Sequence, residues 1–435
     1  MAATRIEGQV AGVAGLAVEL RGVSAHLSVG DRLALQPRAG AAGLAEVVGF
    51  RGGLAHALAF ESIDGIGPGR AAVASLPPSR AVLAVADSWI GRVLDPLGRP
   101  IDRRGALAPG AEPRNVRAGP PVATQRARLG PPVDLGVRAL NAFATCRQGQ
   151  RLGLFAGAGI GKSTLLAMLA RHAACDVAVL ALVGERGREV REFIEDELGP
   201  AGLARSVVVV ATSDAPPLMR REAACAAMTI AEHFRDAGRH VLLLMDSVTR
   251  YCSALREIGM SAGEPPTARG YPPSVFAELP RLLERAGPGL ADQAVPGQIS
   301  ALFTVLVEAD DHNEPVSDAI RAILDGHIVL DRRIAERGRY PAIDVLRSIS
   351  RTMSGCTAPE DLALARRARG LLSLHADLSD LVRLGAYRPG LDPAADEAIA
   401  LAPRIEAFLQ QTPQERTTIA ESFAQLRAVL GASQP

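Results

Sequence analysis

The apolar positions divide the chain by their rhythm. From residue 5 to 76, short apolar runs alternate with glycine-bearing turns at Gly8, Gly12, Gly15, Gly22, Gly30-Asp31, Gly52-Gly53 and Gly65–Gly69. Strand-length pieces at that spacing predict a small β-barrel or sandwich. Pro77-Pro78 breaks the pattern, and an irregular stretch rich in Gly, Pro and Arg runs to about Gly136. From Arg151 the texture changes. Leu152–Ala156, Val177–Val183, Val207–Ala211, Val241–Met245 and Ile299–Val307 are apolar almost throughout, as strands buried on both faces are. Lys162–His172, Glu189–Leu198 and Leu218–Phe234 lie between them and repeat their apolar residues at the helical period. This alternation predicts a parallel sheet covered by helices on both faces. Beyond about Ala358 the strand patterns stop. Ala358–Val382 and Ala394–Leu430 read as helical, interrupted by Gly385–Pro393. The expected architecture is α/β, with a barrel over 1–78, a core over 79–356 and a helical domain over 357–435.

A chain of 435 residues, 48% of them hydrophobic, can build several packed cores. Its net charge of +1 gives no overall electrostatic footprint for nucleic acid. Cys146, Cys175, Cys225, Cys252 and Cys356 are scattered without a CxxC pair. That argues against a zinc site or a disulfide framework and fits a reducing cytosol. The N-terminus shows no secretory signal pattern, and the apolar runs fall far short of the roughly 20 residues of a membrane helix. A soluble cytoplasmic protein is expected. One bias changes the picture: 47 of the 48 basic residues are Arg, and Lys162 is the single Lys. Arg is a broad planar fork and Lys a compact charge on a thin stem, so position 162 reads as a place where Arg does not fit.

The context of Lys162 explains why. Ala156-Gly157-Ala158-Gly159-Ile160-Gly161-Lys162-Ser163-Thr164 follows a predicted strand and opens a predicted helix, the setting in which a glycine-rich motif becomes a phosphate site. Glycines let the loop curl its N–H groups onto phosphate oxygens, and the helix N-terminus adds its positive end. Lys162 can then reach the β- and γ-phosphates, and the Ser163 hydroxyl can bind Mg²⁺. The strict motif begins with Gly, so Ala156 must keep a negative φ. Asp246 ends the run Val241–Met245, as a magnesium-holding Asp ends a strand in this class. Glu185 follows the run Val177–Val183. Active sites of open α/β sheets lie beyond the carboxyl ends of strands, so Glu185 is placed either to orient the attacking water or merely to begin a helix.

Longer strings are more specific. Gly184-Glu185-Arg186-Gly187-Arg188-Glu189-Val190, Asp246-Ser247-Val248-Thr249-Arg250-Tyr251, Gly263-Glu264-Pro265-Pro266, Gly270-Tyr271-Pro272-Pro273-Ser274-Val275-Phe276 and Arg339-Tyr340-Pro341-Ala342-Ile343-Asp344 resemble those of the flagellum-specific type III export ATPases. These are relatives of the catalytic subunits of rotary ATP synthases, and the likeness covers nearly the whole chain. The virulence secretion ATPases share most of the strings. The flagellar branch looks closer in Glu195–Ser213, Gly65–Gly69 and the phosphate loop.

The resemblance implies a barrel, a RecA-like P-loop core and a helical C-terminal domain, assembled as a ring of six with sites between subunits. It implies ATP as substrate with Mg²⁺. The loop Gly157, Ala158, Gly159, Ile160, Gly161, Lys162, Ser163 and Thr164 would hold the phosphates, and Ser163 and Asp246 the metal. Glu185 would be the catalytic carboxylate, and Arg186 and Arg250 would contact or order the phosphate region. Tyr340 matches the aromatic on which adenine stacks, and Arg351 the arginine finger given to the neighbouring subunit. Implied partners are export-apparatus proteins, a stator-like regulator, a central stalk protein, export substrates and chaperones. Implied too is peripheral association with the inner-membrane export gate. The loop Ala309–Pro315 faces the central channel in relatives; by composition it is an Asp- and Asn-rich turn, and His312 reads as solvated rather than as a metal ligand. Many members carry a helical segment ahead of the barrel that binds the regulator and the membrane surface. Here only a few residues precede the barrel pattern at Ile6, a departure that bears on both contacts.

Three other readings share the phosphate loop. A virulence secretion ATPase has the same chemistry and a different cargo. An RNA-translocating ring needs aromatic stacking platforms, yet residues 1–80 hold only Phe50 and Phe60 as aromatics. A non-catalytic ring subunit lacks the carboxylate that Glu185 supplies here.

Overall fold

The computed structural model describes residues 4–76, 81–307 and 314–431. Pro77-Pro78 and most of the loop Ala309–Pro315, His312 included, lie outside them.

The N-terminal strands β1 (Thr4–Ala14), β2 (Ala17–Arg21), β3 (Arg32–Leu35), β4 (Gly43–Arg51), β5 (Leu54–Ala59) and β6 (Ala71–Leu76) close into a barrel in the order β1-β2-β5-β4-β3-β6. Alternate residues fill it: Val18 and Leu20, Leu33 and Leu35, Ala45 and Val47, Ala55 and Ala57 are buried, as a period of two requires. The barrel sits on the core through Leu58 and Phe60, packed with Leu218 and Ile258. Beside them lies a buried ionic cluster. Glu46 of β4 accepts from Arg117 at 2.7 Å and from Arg221 at 2.9 Å, and Arg32 pairs with Glu222.

The core sheet contains β7 (Val93–Leu94), β8 (Arg151–Ala156), β9 (Val177–Glu185), β10 (Ser206–Thr212), β11 (His240–Asp246), β12 (Gln298–Leu306), β13 (Gly326–Leu330) and β14 (Ile343–Ser350). Their order is β14-β13-β8-β12-β11-β9-β10-β7. β14 runs antiparallel to β13, and the rest run parallel. The reason for the continuous apolar runs is visible in β9. Val177, Val179, Ala181 and Val183 face one cluster, and Ala178, Leu180 and Leu182 face the other. Both faces are covered by helices, so neither register position can be polar.

The stretch before Gly136 is less irregular than its composition implies. Val93–Leu94 pairs with Val208–Val209 and extends the sheet, and Trp89 is buried with its indole N–H donating to the Ala108 carbonyl at 2.9 Å. Two strands with weak patterns, β13 and β14, also join the sheet; β14 alternates buried and exposed positions around a bulge and occupies the edge. The helix expected over Glu189–Leu198 begins at Gly187 and passes at Phe193–Leu198 into a π-turn.

The C-terminal helix Pro359–Arg383 fits its pattern, but the stretch Ala394–Leu430 is two helices, Pro393–Leu409 and Ile419–Val429. Pro413 lacks the N–H that would continue the first. Thr418 starts the second with a capping box to Glu421. Replacing Thr418 by Ala is expected to cost about 1 kcal/mol, read as faster amide exchange over the first turn of Ile419–Val429 with the core amides unchanged. These helices pack Leu372, Ile405, Phe408 and Leu426 into the same cluster that holds the helix Lys162–His172.

Candidate active site

Three strand ends converge. β8 ends at Ala156 and releases the phosphate loop, in which Gly159 and Gly161 have φ of 75° and 83°. Ala156 is absent from the positive-φ positions of the described residues, so the departure from the strict motif costs no backbone strain. The helix Lys162–His172 then begins on Gly161.

The Lys162 side chain turns toward the neighbouring strand ends. Its Nζ donates to Asp246 Oδ1 at 2.6 Å and to Glu185 Oε1 at 3.3 Å. Register accounts for the meeting: Leu182 of β9 pairs with Asp246 of β11, and β9 continues to Glu185. Between β8 and β11 lies β12, whose buried Thr304 donates to Asp246 Oδ1 at 2.7 Å. All three ionic side chains are mostly buried, at 11% exposure for Lys162, 16% for Glu185 and 5% for Asp246.

Burial acts against charge here and the partners answer it. Desolvation alone would lower the Lys162 ammonium, but the Asp246 and Glu185 carboxylates raise it above the ordinary range. Glu185 is raised, first by burial and then by the Asp246 charge, with Lys162 and Arg250 pulling the other way. Two carboxylates thus face one ammonium, which leaves the cluster with an excess of negative charge.

Gly184 shows how tightly Arg250 is placed. It sits at φ 74°, and a Cβ there would lie 3.0 Å from Arg250 Cβ. Arg250 therefore stacks along the backbone just before Glu185. Arg186 goes elsewhere: its guanidinium is 79% exposed and pairs with Glu189 at 3.3 Å. It is not part of the Lys162 cluster. Ser163 is exposed, and Thr164 Oγ1 donates to Glu197 Oε1 at 3.2 Å, on the π-turn.

Tyr340 reaches the loop from the far side of the sheet. A Cβ on Gly161 would touch its ring at 3.3 Å, and the ring is 46% exposed. Arg351 is at the opposite end of β14, where Ser350 pairs with Gly326 at the start of β13. Ile343 and Ser350 of β14 lie opposite Leu330 and Gly326 of β13, so the ends of β14 are about 13 Å apart at about 3.3 Å for each of the four β13 steps. Arg351 is exposed, and it leaves the sheet at the end opposite to the phosphate loop.

Several contacts lie outside the set of residues the sequence points to. Thr304 had a signal, a hydroxyl inside an apolar run. Glu197, and Arg332, which donates to the Ala158 carbonyl at 3.2 Å, had none, because each depends on how separate segments pack.

Comparison with known proteins follows the same division of the chain. Residues 136–350 match the nucleotide-binding domain of the ATP synthase alpha/beta family, and residues 357–428 match the EscN ATPase C-terminal domain of type III secretion systems. The flagellum-specific ATP synthase of Caulobacter vibrioides is 53% identical over 428 residues, covering 98% of this chain and 96% of that protein. The chain belongs to the type III export ATPases. Flagellum-specific ATP synthase of Bacillus subtilis is 46% identical over 98% of the chain and 95% of that protein. The type 3 secretion system ATPase of Xanthomonas euvesicatoria is 46% identical over 98% and 94%. The assembled EscN ATPase of enteropathogenic E. coli superposes with a TM-score of 0.87 at 40% identity, over 97% of this chain and 100% of that one. The protein is therefore an ATP-hydrolysing export ATPase with a barrel, a RecA-like P-loop core and a helical C-terminal domain. Among the described residues no helix is long and apolar enough to cross a membrane.

Proposed function

We propose that this export ATPase serves the flagellar branch and hydrolyses Mg-ATP at the Lys162 cluster. The observation that supports the site most directly is the meeting of Lys162, Asp246 and Glu185 at three strand ends. The loop amides from Gly157 to Thr164 and Lys162 hold the phosphates, Tyr340 stacks the base, and Arg250 orders the backbone before Glu185. Magnesium fits the donors at hand. Ser163 Oγ and Asp246 Oδ2 have no hydrogen-bond partner among the described residues, and both are the oxygen donors that ion takes. When bound with the nucleotide it would offset phosphate charge. Glu185 then accepts a proton from, or orients, the attacking water, and Arg351 completes the neighbouring subunit's site. Arg186 pairs with Glu189 at the surface in a single subunit; its contribution to phosphate contact requires a neighbouring subunit or a bound nucleotide.

The assembly proposed is a homohexamer around a central stalk, because the assembled EscN relative has been solved together with its central stalk EscO and superposes with a TM-score of 0.88. The further partners are a stator-like regulator, export substrates with their chaperones, and the export gate at the cytoplasmic face of the inner membrane. Domain limits of 1–78, 79–356 and 357–435 are part of the same reading. The flagellar assignment is favoured by the naming of the relatives at 44–53% identity over 79–99% of the chain. A virulence system is the second reading, on the strength of the Xanthomonas relative at 46%.

A chromosomal Lys162→Ala change separates the two. With normal protein level, the expected result is a cell without flagellar filaments. A normal filament count would move the assignment to the virulence branch.

A further inference from the structure

Between the last two helices the C-terminal domain sends a strap, residues 410–418, back to the nucleotide site. It has no regular structure of its own, and the core holds it by its polar groups. The Pro413 carbonyl accepts from Arg171 Nη2 at 2.9 Å and lies 3.0 Å from His172 Nε2; both side chains end the helix that begins at Lys162. Asn141 Nδ2 donates to the Thr417 carbonyl at 2.8 Å, and the Arg138 guanidinium reaches Glu415 at 2.9 Å.

Gln411 lies at the centre and is 3% exposed. Its Oε1 accepts from the Arg138 N–H at 2.9 Å, and its Nε2 donates to the carbonyls of Gly136 at 2.8 Å and Glu415 at 2.9 Å. Its own backbone N–H donates to the Tyr340 carbonyl at 2.9 Å. Tyr340 needs that anchor, because its hydroxyl has no hydrogen-bond partner among the described residues and its ring is half exposed beside Gly161. The residues around it are tied separately: Arg339 donates to the carbonyls of Pro341 and Ile343 and pairs with Glu406 at 2.6 Å.

We infer that Gln411 is a positioning residue for the nucleotide: by fixing the Tyr340 backbone it sets the ring beside the phosphate loop, so that the C-terminal domain governs affinity for the base. The inference rests on the reading of Tyr340 as the stacking residue. A buried amide with three side-chain hydrogen bonds cannot move without unpairing them, so the N–H it carries is delivered to one place. The strap also grips the end of the phosphate-loop helix at Arg171 and His172. A shift of the C-terminal helices therefore reaches base and phosphate contacts together.

The test is a double-mutant cycle on the full chain, at protein concentrations where the wild type is fully assembled. Gln411→Met keeps the volume and removes the three hydrogen bonds; Gln411→Glu keeps the acceptor and removes both donors. The expected result for Gln411→Met is a KM for ATP raised about five- to tenfold, with kcat within about twofold. Gln411→Glu should fall in the same direction. In a Tyr340→Ala background, Gln411→Met should add less than about twofold, because the group it positions is gone. Equal effects in both backgrounds would overturn the inference, since Gln411 would then only hold the strap. So would an unchanged KM in Gln411→Met while Tyr340→Ala raises it. Tyr340→Ala without effect on KM would instead sink the stacking reading on which the inference rests. Should Gln411→Met fail to fold, Gln411→Glu carries the same comparison.

Discussion

Replacing Glu185 by Gln is expected to lower kcat by about 10²–10⁴ with nucleotide affinity close to wild type. Gln keeps the shape of the side chain and can still accept from Lys162, which approaches Glu185 Oε1 at 3.3 Å. What it loses is the ability to take a proton. The neighbouring carboxylate is otherwise engaged: Asp246 Oδ1 accepts from Lys162 and Thr304, and its Oδ2 is the oxygen proposed for magnesium. Burial and the Asp246 charge raise the Glu185 carboxyl above its usual range. The active form is the carboxylate, and it is lost as pH falls through that raised value. The acid limb of kcat/KM should therefore sit above the ordinary Glu pKa of about 4.3, and the residual activity of the Gln variant should lack it. Single-turnover hydrolysis, with nucleotide binding measured separately, decides the matter. A kcat unchanged in Glu185→Gln would reduce Glu185 to the favourable negative charge at the start of a helix.

Parts of this site were legible in the sequence for different reasons. The phosphate loop is contiguous, so its glycines, Lys162 and the flanking strand and helix lie within one short string. The central strands were legible because both of their faces are buried, which forbids polar residues along their length. β14 was harder. It is an edge strand with a bulge, and its mixture of buried and exposed positions looks like loop. Tyr340 and Arg351 carry nothing local that distinguishes them from other surface residues; only resemblance pointed to them. The contacts of Thr304, Glu197 and Gln411 arise where strands and domains come into register, and spacing along the chain does not encode that. The strap at 410–418 shows the same limit. Its polar run reads as part of a helix, although Pro413 and the Thr418 capping box both break one, because the partners of Gln411, Glu415 and Pro413 at Gly136, Arg138 and Arg171 lie more than 200 residues earlier.

Arg351→Ala is expected to reduce kcat by about 10³ or more, and the loss should be repairable from another subunit. Arg351 and its own phosphate loop lie at opposite ends of the sheet, since β14 runs antiparallel to β13 and carries Tyr340 at one end and Arg351 at the other. A subunit carrying Arg351→Ala still has Glu185 and Lys162, and one carrying Glu185→Gln still has Arg351. Where the first meets the second in the right order, the interface holds both groups. In a random one-to-one mixture about a quarter of the interfaces of a closed ring have that order. Two nearly inactive preparations should then recover up to about a quarter of wild-type activity when mixed and reassembled. Specific activity of the wild type should also rise with concentration over the range in which the ring forms. An Arg351 acting within its own subunit would leave the mixture as inactive as its components. An Arg351 with no part in the chemistry would leave the single variant at wild-type rate. The mixing experiment thus separates a group lent across an interface from one that acts at home, which the fold of a single chain can motivate through distance alone.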